Sequence, residues 1–226
     1  MSPPVPHRDH PIRTVLFDLD GTLLDSIELI LGGYRAMMLE HHGEVPPDTV
    51  WLHGIGTPLR EQIAALAKDT VQAEAMFHTY VDYNVTNHDA LAGPYDGVGA
   101  LVRDLHAAGA ALGIVTSKRM VGAERGLRRM GLDDVFPAVV AVDTVTNAKP
   151  HPEPVLRALD ILGADPETAV FVGDSTHDLA SGRAAGVRTA AALWGPYPRE
   201  ALEQHAPTYW FDSPEHCRSA LLGALA

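Results

Sequence analysis

The chain has 226 residues and a formal net charge of −12, from 17 Lys and Arg against 29 Asp and Glu. That length suits one buried core, or a core with a small second domain. The acidic balance lacks the basic face of a nucleic-acid binder, no apolar run approaches the roughly 20 residues of a membrane span, and the one cysteine, Cys217, leaves no internal disulfide or cysteine metal cluster. These features point to a cytoplasmic protein with neither nucleic acid nor membrane as partner.

Residues 1–13 are rich in Pro and His, lack the apolar core of a signal peptide and read as a flexible leader. Thr14-Val-Leu-Phe-Asp18 is a short run of strand formers ending in carboxylates. The stretch 25–93 carries helical patterns at Ile27–His41, Leu59–Leu66 and Val71–His88 with no convincing strand between them. Gly93-Pro94 marks a hinge. Strand patterns then recur at Ala110–Thr116, Val139–Val142, Thr168–Gly173 and Val187–Leu193, separated by helical patterns at Val98–Ala108, Met120–Met130, Pro154–Leu162 and Leu179–Ala185. A last short strand and closing helix fit Tyr209–Ala226. Such alternation predicts an α/β protein: a Rossmann-like, doubly wound parallel sheet over 14–24 and 94–226, with an α-helical insertion at 25–93. Ligands bind such sheets outside the carboxyl ends of the strands, and the polar residues of this chain gather there.

Four strand ends carry chemistry. Asp18-Leu-Asp-Gly-Thr22 closes the first strand; Asp18 and Asp20, two apart, face one site if the chain stays extended. They repel unless a cation lies between them or one is protonated. An ordinary strand-to-turn junction explains the segment equally well. Thr116-Ser-Lys118 offers a hydroxyl and amides that can grip a phosphoryl oxygen, and also reads as a plain helix start. Lys149-Pro-His-Pro-Glu-Pro154 holds a lysine on a stiffened loop. Gly173-Asp-Ser-Thr-His-Asp178 places Asp174 and Asp178 four apart, as capping residues or as hard oxygen ligands suited to magnesium.

In this order, the four segments resemble the haloacid dehalogenase-like hydrolase superfamily. The series Phe17–Ser26, Lys149–Pro154 and Gly182-Arg-Ala-Ala-Gly-Val187 is most similar to its phosphoglycolate phosphatase and pyrophosphatase branch. The resemblance covers the chain after the leader, with 25–93 as the helical cap. It implies a magnesium-dependent phosphatase acting on a small phosphorylated metabolite or pyrophosphate, as a monomer or homodimer. Asp18 would be the nucleophile and Asp20 the acid and base. Thr116, with the amides near Leu19 and Ser117 and with Lys118, would hold phosphoryl oxygens, and Lys149 would offset their charge. Asp18, the Asp20 carbonyl and Asp174 would bind the metal, with Asp178 and Ser175 supporting them.

An acidic residue at position 20 disfavours dehalogenase relatives, whose halide leaves without a proton, and phosphonatase relatives, which lack such a residue too. A sugar-phosphate mutase like β-phosphoglucomutase keeps every motif and remains a rival. A phospho-aspartate signalling or binding protein is the non-enzymatic rival, although signalling receivers carry no helical cap. Within the insertion, His53-Gly-Ile-Gly-Thr-Pro-Leu-Arg60 is expected to turn close to the site. Arg60 would read a second anion of the substrate, or pair with Glu61 or solvent. Histidines 7, 10, 41, 42, 78 and 88 read as surface residues, and Trp51, Trp194 and Trp210 as packing.

Overall fold

A computed structural model describes residues 10–52 and 54–225, so His53 and most of the expected leader lie outside the described residues. In chain order come β1 (Thr14–Phe17), β2 (Leu24–Asp25), α1 (Ile27–His42), α2 (Thr49–Leu52), α3 (Leu59–Leu66), α4 (Thr70–Leu91) and β3 (Gly93–Pro94). Then follow α5 (Val98–Ala107), β4 (Ala111–Val115), α6 (Met120–Met130), β5 (Ala138–Val140), α7 (Glu153–Leu162), β6 (Ala169–Gly173) and α8 (Thr176–Ala184). The chain closes with β7 (Arg188–Ala192), α9 (Arg199–Glu203), β8 (Tyr209–Phe211) and α10 (Pro214–Leu222).

Six strands form one parallel sheet in the order β5-β4-β1-β6-β7-β8. The chain runs outward from β1 through β4 to β5, then crosses back to β6 on the other side of β1. The winding therefore reverses at the carboxyl end of β1, the switch point where such sheets bind ligands. Helices cover both faces, which is why every residue of β1 is buried. Val15 and Phe17 join Leu112, Ile114, Val170 and Val172 on one face, against α5, α6 and α10. Leu16 and Phe171 point the other way, against Val155, Ala158 and Leu159 of α7.

The end of the expected leader belongs to the core. Ile12 is fully buried, its amide donates to the Ala224 carbonyl at 3.0 Å, and Arg13 N–H donates to Thr168 O at 2.9 Å. An isoleucine beneath the sheet buries apolar surface that a free leader would leave wet. Arg188, also buried, donates to the carbonyls of His10 and Glu167, at 2.7 and 3.2 Å.

Helices α1–α4 occupy the expected insertion. Leu24↔Pro94 and Asp25↔Gly93 pair as an antiparallel two-residue ribbon where the chain leaves and re-enters the sheet. Gly32 and Gly33 let α1 approach α4: a Cβ on Gly32 would stand 2.4 Å from the Tyr83 hydroxyl. Tyr34 and Tyr80 flank Trp51, with ring centroids 4.9 and 5.7 Å away. Their cluster continues into Leu179, Ala191, Tyr197 and Leu202, which come from the sheet side of the molecule. Among the described residues no helix is long and apolar enough to cross a membrane.

Candidate active site

The carboxyl ends of β1, β4 and β6, with the loop before α7, converge. Lys149 is buried, and its Nζ lies 3.0 Å from Asp18 Oδ1, 2.6 Å from Asp178 Oδ1 and 3.2 Å from the Val115 carbonyl. Burial alone would lower the lysine pKa; the two carboxylates outweigh it and raise it. Asp178 caps its helix and meets the lysine at the same time. It is the N3 carboxylate of a capping box, with Oδ2 accepting from Ser175 N at 2.9 Å and Ser175 Oγ at 2.6 Å, and Oδ1 left for Lys149. Burial and the Asp178 charge push the Asp18 carboxyl up to about 7, against the opposing pull of Lys149.

Asp20 does not share the Asp18 cation. Its carboxylate accepts from Lys118 Nζ at 2.8 and 2.9 Å and from Ser26 Oγ at 2.6 Å. The expected repulsion between the two aspartates is thus met by a separate lysine for each. Leu19 N–H turns back onto the Asp18 carboxylate. Thr116 is buried one residue beyond β4; its amide donates to Val140 O at 2.9 Å and its Oγ1 accepts from Lys118 N at 3.2 Å. Ser117 turns its hydroxyl to the Gly56 carbonyl at 2.6 Å.

Asp18, Asp174 and Asp178 bring carboxylate oxygens within 4.8 Å of one another. Asp178 has both oxygens engaged. Asp174 Oδ1 accepts from Thr22 Oγ1 at 2.6 Å, whereas its Oδ2 is buried with no hydrogen-bond partner among the described residues. Burial, then Asp178 and Asp18, raise the Asp174 pKa well above the usual carboxylate range. A buried bare carboxylate oxygen costs roughly 1–3 kcal/mol, and a hard divalent cation satisfies it. The donor set therefore fits such a metal, with Asp18 and Asp174 as its natural side-chain ligands and Asp178 holding Lys149. Two glycines make the room: a Cβ on Gly21, at φ +85°, would lie 2.6 Å from Asp174 Oδ2, and one on Gly195 would lie 2.2 Å from Asp174 Cβ.

Arg60 is spent elsewhere. Its guanidinium forms a fork with Glu74, not Glu61, and lies 3.9 Å over the Phe77 ring on an exposed face of the helical insertion. A carboxylate one helix away and an aromatic face together satisfy it locally, which the linear spacing did not disclose. The segment carrying it does reach the site, through the turn before α3: Tyr197 OH donates to Ile55 O at 2.8 Å, and Thr57 Oγ1 lies 3.2 Å from His177 Nε2. Thr22, Ser26, Gly195 and Tyr197 are contributors that the linear reading left without a role. Thr22 and Ser26 stood inside the first segment; Gly195 and Tyr197 follow β7 and carried no motif. His88, expected at the surface, is buried, with Nδ1 2.9 Å from Asp89 Oδ1. Burial, the largest influence on it, lowers its pKa.

A six-stranded 3-2-1-4-5-6 sheet with carboxylates and a buried lysine at its switch point defines an α/β hydrolase site of the phosphoryl-handling kind. The haloacid dehalogenase-like hydrolase model matches residues 15–192, and the chain belongs to that family. It is 41% identical over 200 residues to the pyrophosphatase PpaX of Bacillus pumilus, covering 88% of this chain and 91% of that one. It is 39% identical over 198 residues to the PpaX of Halalkalibacterium halodurans, again covering 88% and 91%. A Lactobacillus plantarum structure provisionally assigned as a phosphoglycolate phosphatase superposes with a TM-score of 0.81 at 25% identity, over 91% of this chain and 97% of that one.

Proposed function

We propose that this chain is a cytoplasmic, magnesium-dependent phosphatase that cleaves pyrophosphate or a small phosphomonoester through an aspartyl-phosphate on Asp18. The observation that carries the reading is the buried Asp18–Lys149–Asp178 chain beside Asp174, whose Oδ2 has no hydrogen-bond partner among the described residues. The division of labour follows the fold: residues 14–24 and 94–226 as catalytic core, 25–93 as a cap over it, in a monomer or homodimer.

Asp18 attacks phosphorus, forming an acyl phosphate as the leaving oxygen departs. Lys149 holds the attacking carboxylate in place and offsets charge on the phosphoryl oxygens. Thr116 and the amides near Leu19 and Ser117 are the groups assigned to hold those oxygens. Asp18, Asp174 and the Asp20 carbonyl would hold magnesium, which would supply Lewis-acid neutralisation of the phosphoryl group. Asp20 gives a proton to the leaving oxygen and later takes one from water. For that it must first part from Lys118. A second anion on the substrate draws Lys118 away, so Lys118, and not Arg60, is the cation placed to favour pyrophosphate or a phosphorylated acid.

PpaX-like sequence over most of the chain favours pyrophosphate; the phosphoglycolate phosphatase-like structure keeps small phosphorylated acids as the second reading. Phosphate release from pyrophosphate, phosphoglycolate, sugar phosphates and an aryl phosphate, with and without magnesium, tests both. Preference for a sugar phosphate with net isomerisation supports the mutase instead, and no turnover on any substrate overturns the enzymatic reading.

A further inference from the structure

The turn between α2 and α3 is gripped by three elements of the sheet side at once. From the end of β4, Ser117 Oγ donates to Gly56 O at 2.6 Å. From the loop after β7, the Tyr197 hydroxyl donates to Ile55 O at 2.8 Å. From the start of α8, His177 Nε2 meets Thr57 Oγ1 at 3.2 Å. Gly56, at φ +97°, sits so close that a Cβ would stand 2.9 Å from Ser175 Oγ, the hydroxyl that bonds Asp178. The turn therefore rests on the support of Lys149.

Apolar packing of Ile55 in the cluster that holds Leu179 and Tyr197 explains the contact. It does not explain why two successive carbonyls are each met by a hydroxyl, from loops that carry Thr116 on one side and pack Gly195 on Asp174 on the other. We propose that Ser117, through its side chain, and Tyr197 are positioning residues that latch the Gly54–Thr57 turn over the site, so that the phosphorylated enzyme meets water and no larger acceptor. This rests on the aspartyl-phosphate reading above. In the controlled step an acceptor oxygen bonds to phosphorus, and the bond from Asp18 to phosphorus breaks. Its electron pair returns to the carboxylate, and the acceptor proton passes to Asp20. Water yields inorganic phosphate; an alcohol yields a new phosphomonoester.

The test uses an aryl phosphate with added glycerol. Released aryl alcohol counts every turnover, and inorganic phosphate counts hydrolysis alone. Hydrogen exchange at the amides of residues 54–57 reports the turn without reference to activity. The wild type is expected to release both products equally. Tyr197→Phe and Ser117→Ala should each divert turnovers to glycerol phosphate and speed exchange at the turn roughly fivefold, the opening expected when one hydrogen bond is lost. The double variant should exceed both. Unchanged product ratios in the two single variants overturn the latch, whether or not exchange speeds up. A wild type that turns over neither the aryl phosphate nor pyrophosphate or phosphoglycolate overturns the phosphatase reading instead, and unchanged exchange in the variants then still overturns the latch. Should Tyr197→Phe disturb the fold, seen as faster exchange in β1 and β6, Ser117→Ala decides.

Discussion

Replacing Asp18 by Asn removes a buried charge that the metal-free protein holds at a cost. The carboxyl titrates near 3.8 in the unfolded chain and is pushed up to about 7 in the fold, by burial first and by Asp178 second. Between those values the native state keeps a proton that the unfolded state has lost, so stability is full below 3.8 and falls as pH rises through about 7. At 1.36 kcal/mol per unit, the loss reaches on the order of 4 kcal/mol above pH 7 and about half of that near pH 5.5. Asp18→Asn titrates nowhere in this range. With chelator present it should therefore melt above the wild type at pH 8, by roughly 8–16 °C for a chain of this size. The advantage should shrink toward pH 5.5 and vanish near pH 4. Magnesium should reverse the order at pH 8, because the wild type gains the ion's attraction and the variant does not. Thermal melts of both proteins at three pH values, with and without magnesium, supply the answer. An Asn variant no more stable than wild type at pH 8 in chelator, or equally advantaged at pH 5.5 and 8, refutes the account of Asp18 as a burdened carboxylate.

Asp18→Asn should also abolish turnover, and measurable steady-state activity beyond contaminating wild type would remove it as nucleophile. Asp20→Asn should cost 100-fold or more, roughly, on a poor leaving group and much less on a good aryl one; equal losses on both, measured as kcat/KM, argue against Asp20 as the acid. Arg60→Ala should leave kcat/KM within about twofold and stability within about 1 kcal/mol, since its partner Glu74 is an exposed one. Lys118→Ala should lower kcat/KM for pyrophosphate far more than for a neutral aryl ester, and a uniform loss would assign Lys118 to structure alone. Gly195→Ala forces a Cβ to within 2.2 Å of Asp174 Cβ, so it should raise the magnesium needed for half-maximal activity and cost about 1–3 kcal/mol in denaturant melts.

Much of the sheet was legible because its strands are short and mostly apolar, and β1, β4, β6 and β8 are each followed at once by a polar residue: Asp18, Thr116, Asp174 and Asp212. The bounds of α3 and α6 agree to the residue with the amphipathic pattern, and α1 and α7 to within one. The pattern did not yield α2 or α9, whose four and five residues are too short for a helical period to repeat. Nor did it show β2 and β3, which exist only because the two ends of the insertion meet. In the site, residues that stand in one segment were found together: Asp18 with Asp20, Asp174 with Asp178. The family resemblance brought Asp18, Lys149 and Asp174 to one site, but other pairings across the chain stayed hidden. Lys118 meets Asp20 from 98 residues away and Tyr197 meets Ile55 from 142 away, and neither separation leaves a trace in a linear pattern. Arg60 is a further case: the sequence offered a substrate anion, Glu61 or solvent as its partner, and the contacts it makes are to Glu74 and Phe77 on the neighbouring helix.

The ribbon of Leu24–Asp25 against Gly93–Pro94 brings the two ends of the helical insertion side by side. A segment whose termini sit about 5 Å apart fits there without moving the strand ends. The insertion can thereby vary in length and sequence while Asp18 and the other strand-end residues stay in place. The exchange has one constraint. Leu179, Ala191, Tyr197 and Leu202 complete their burial against the insertion, so a replacement must bring its own apolar underside, and a bare linker would leave four core side chains facing water.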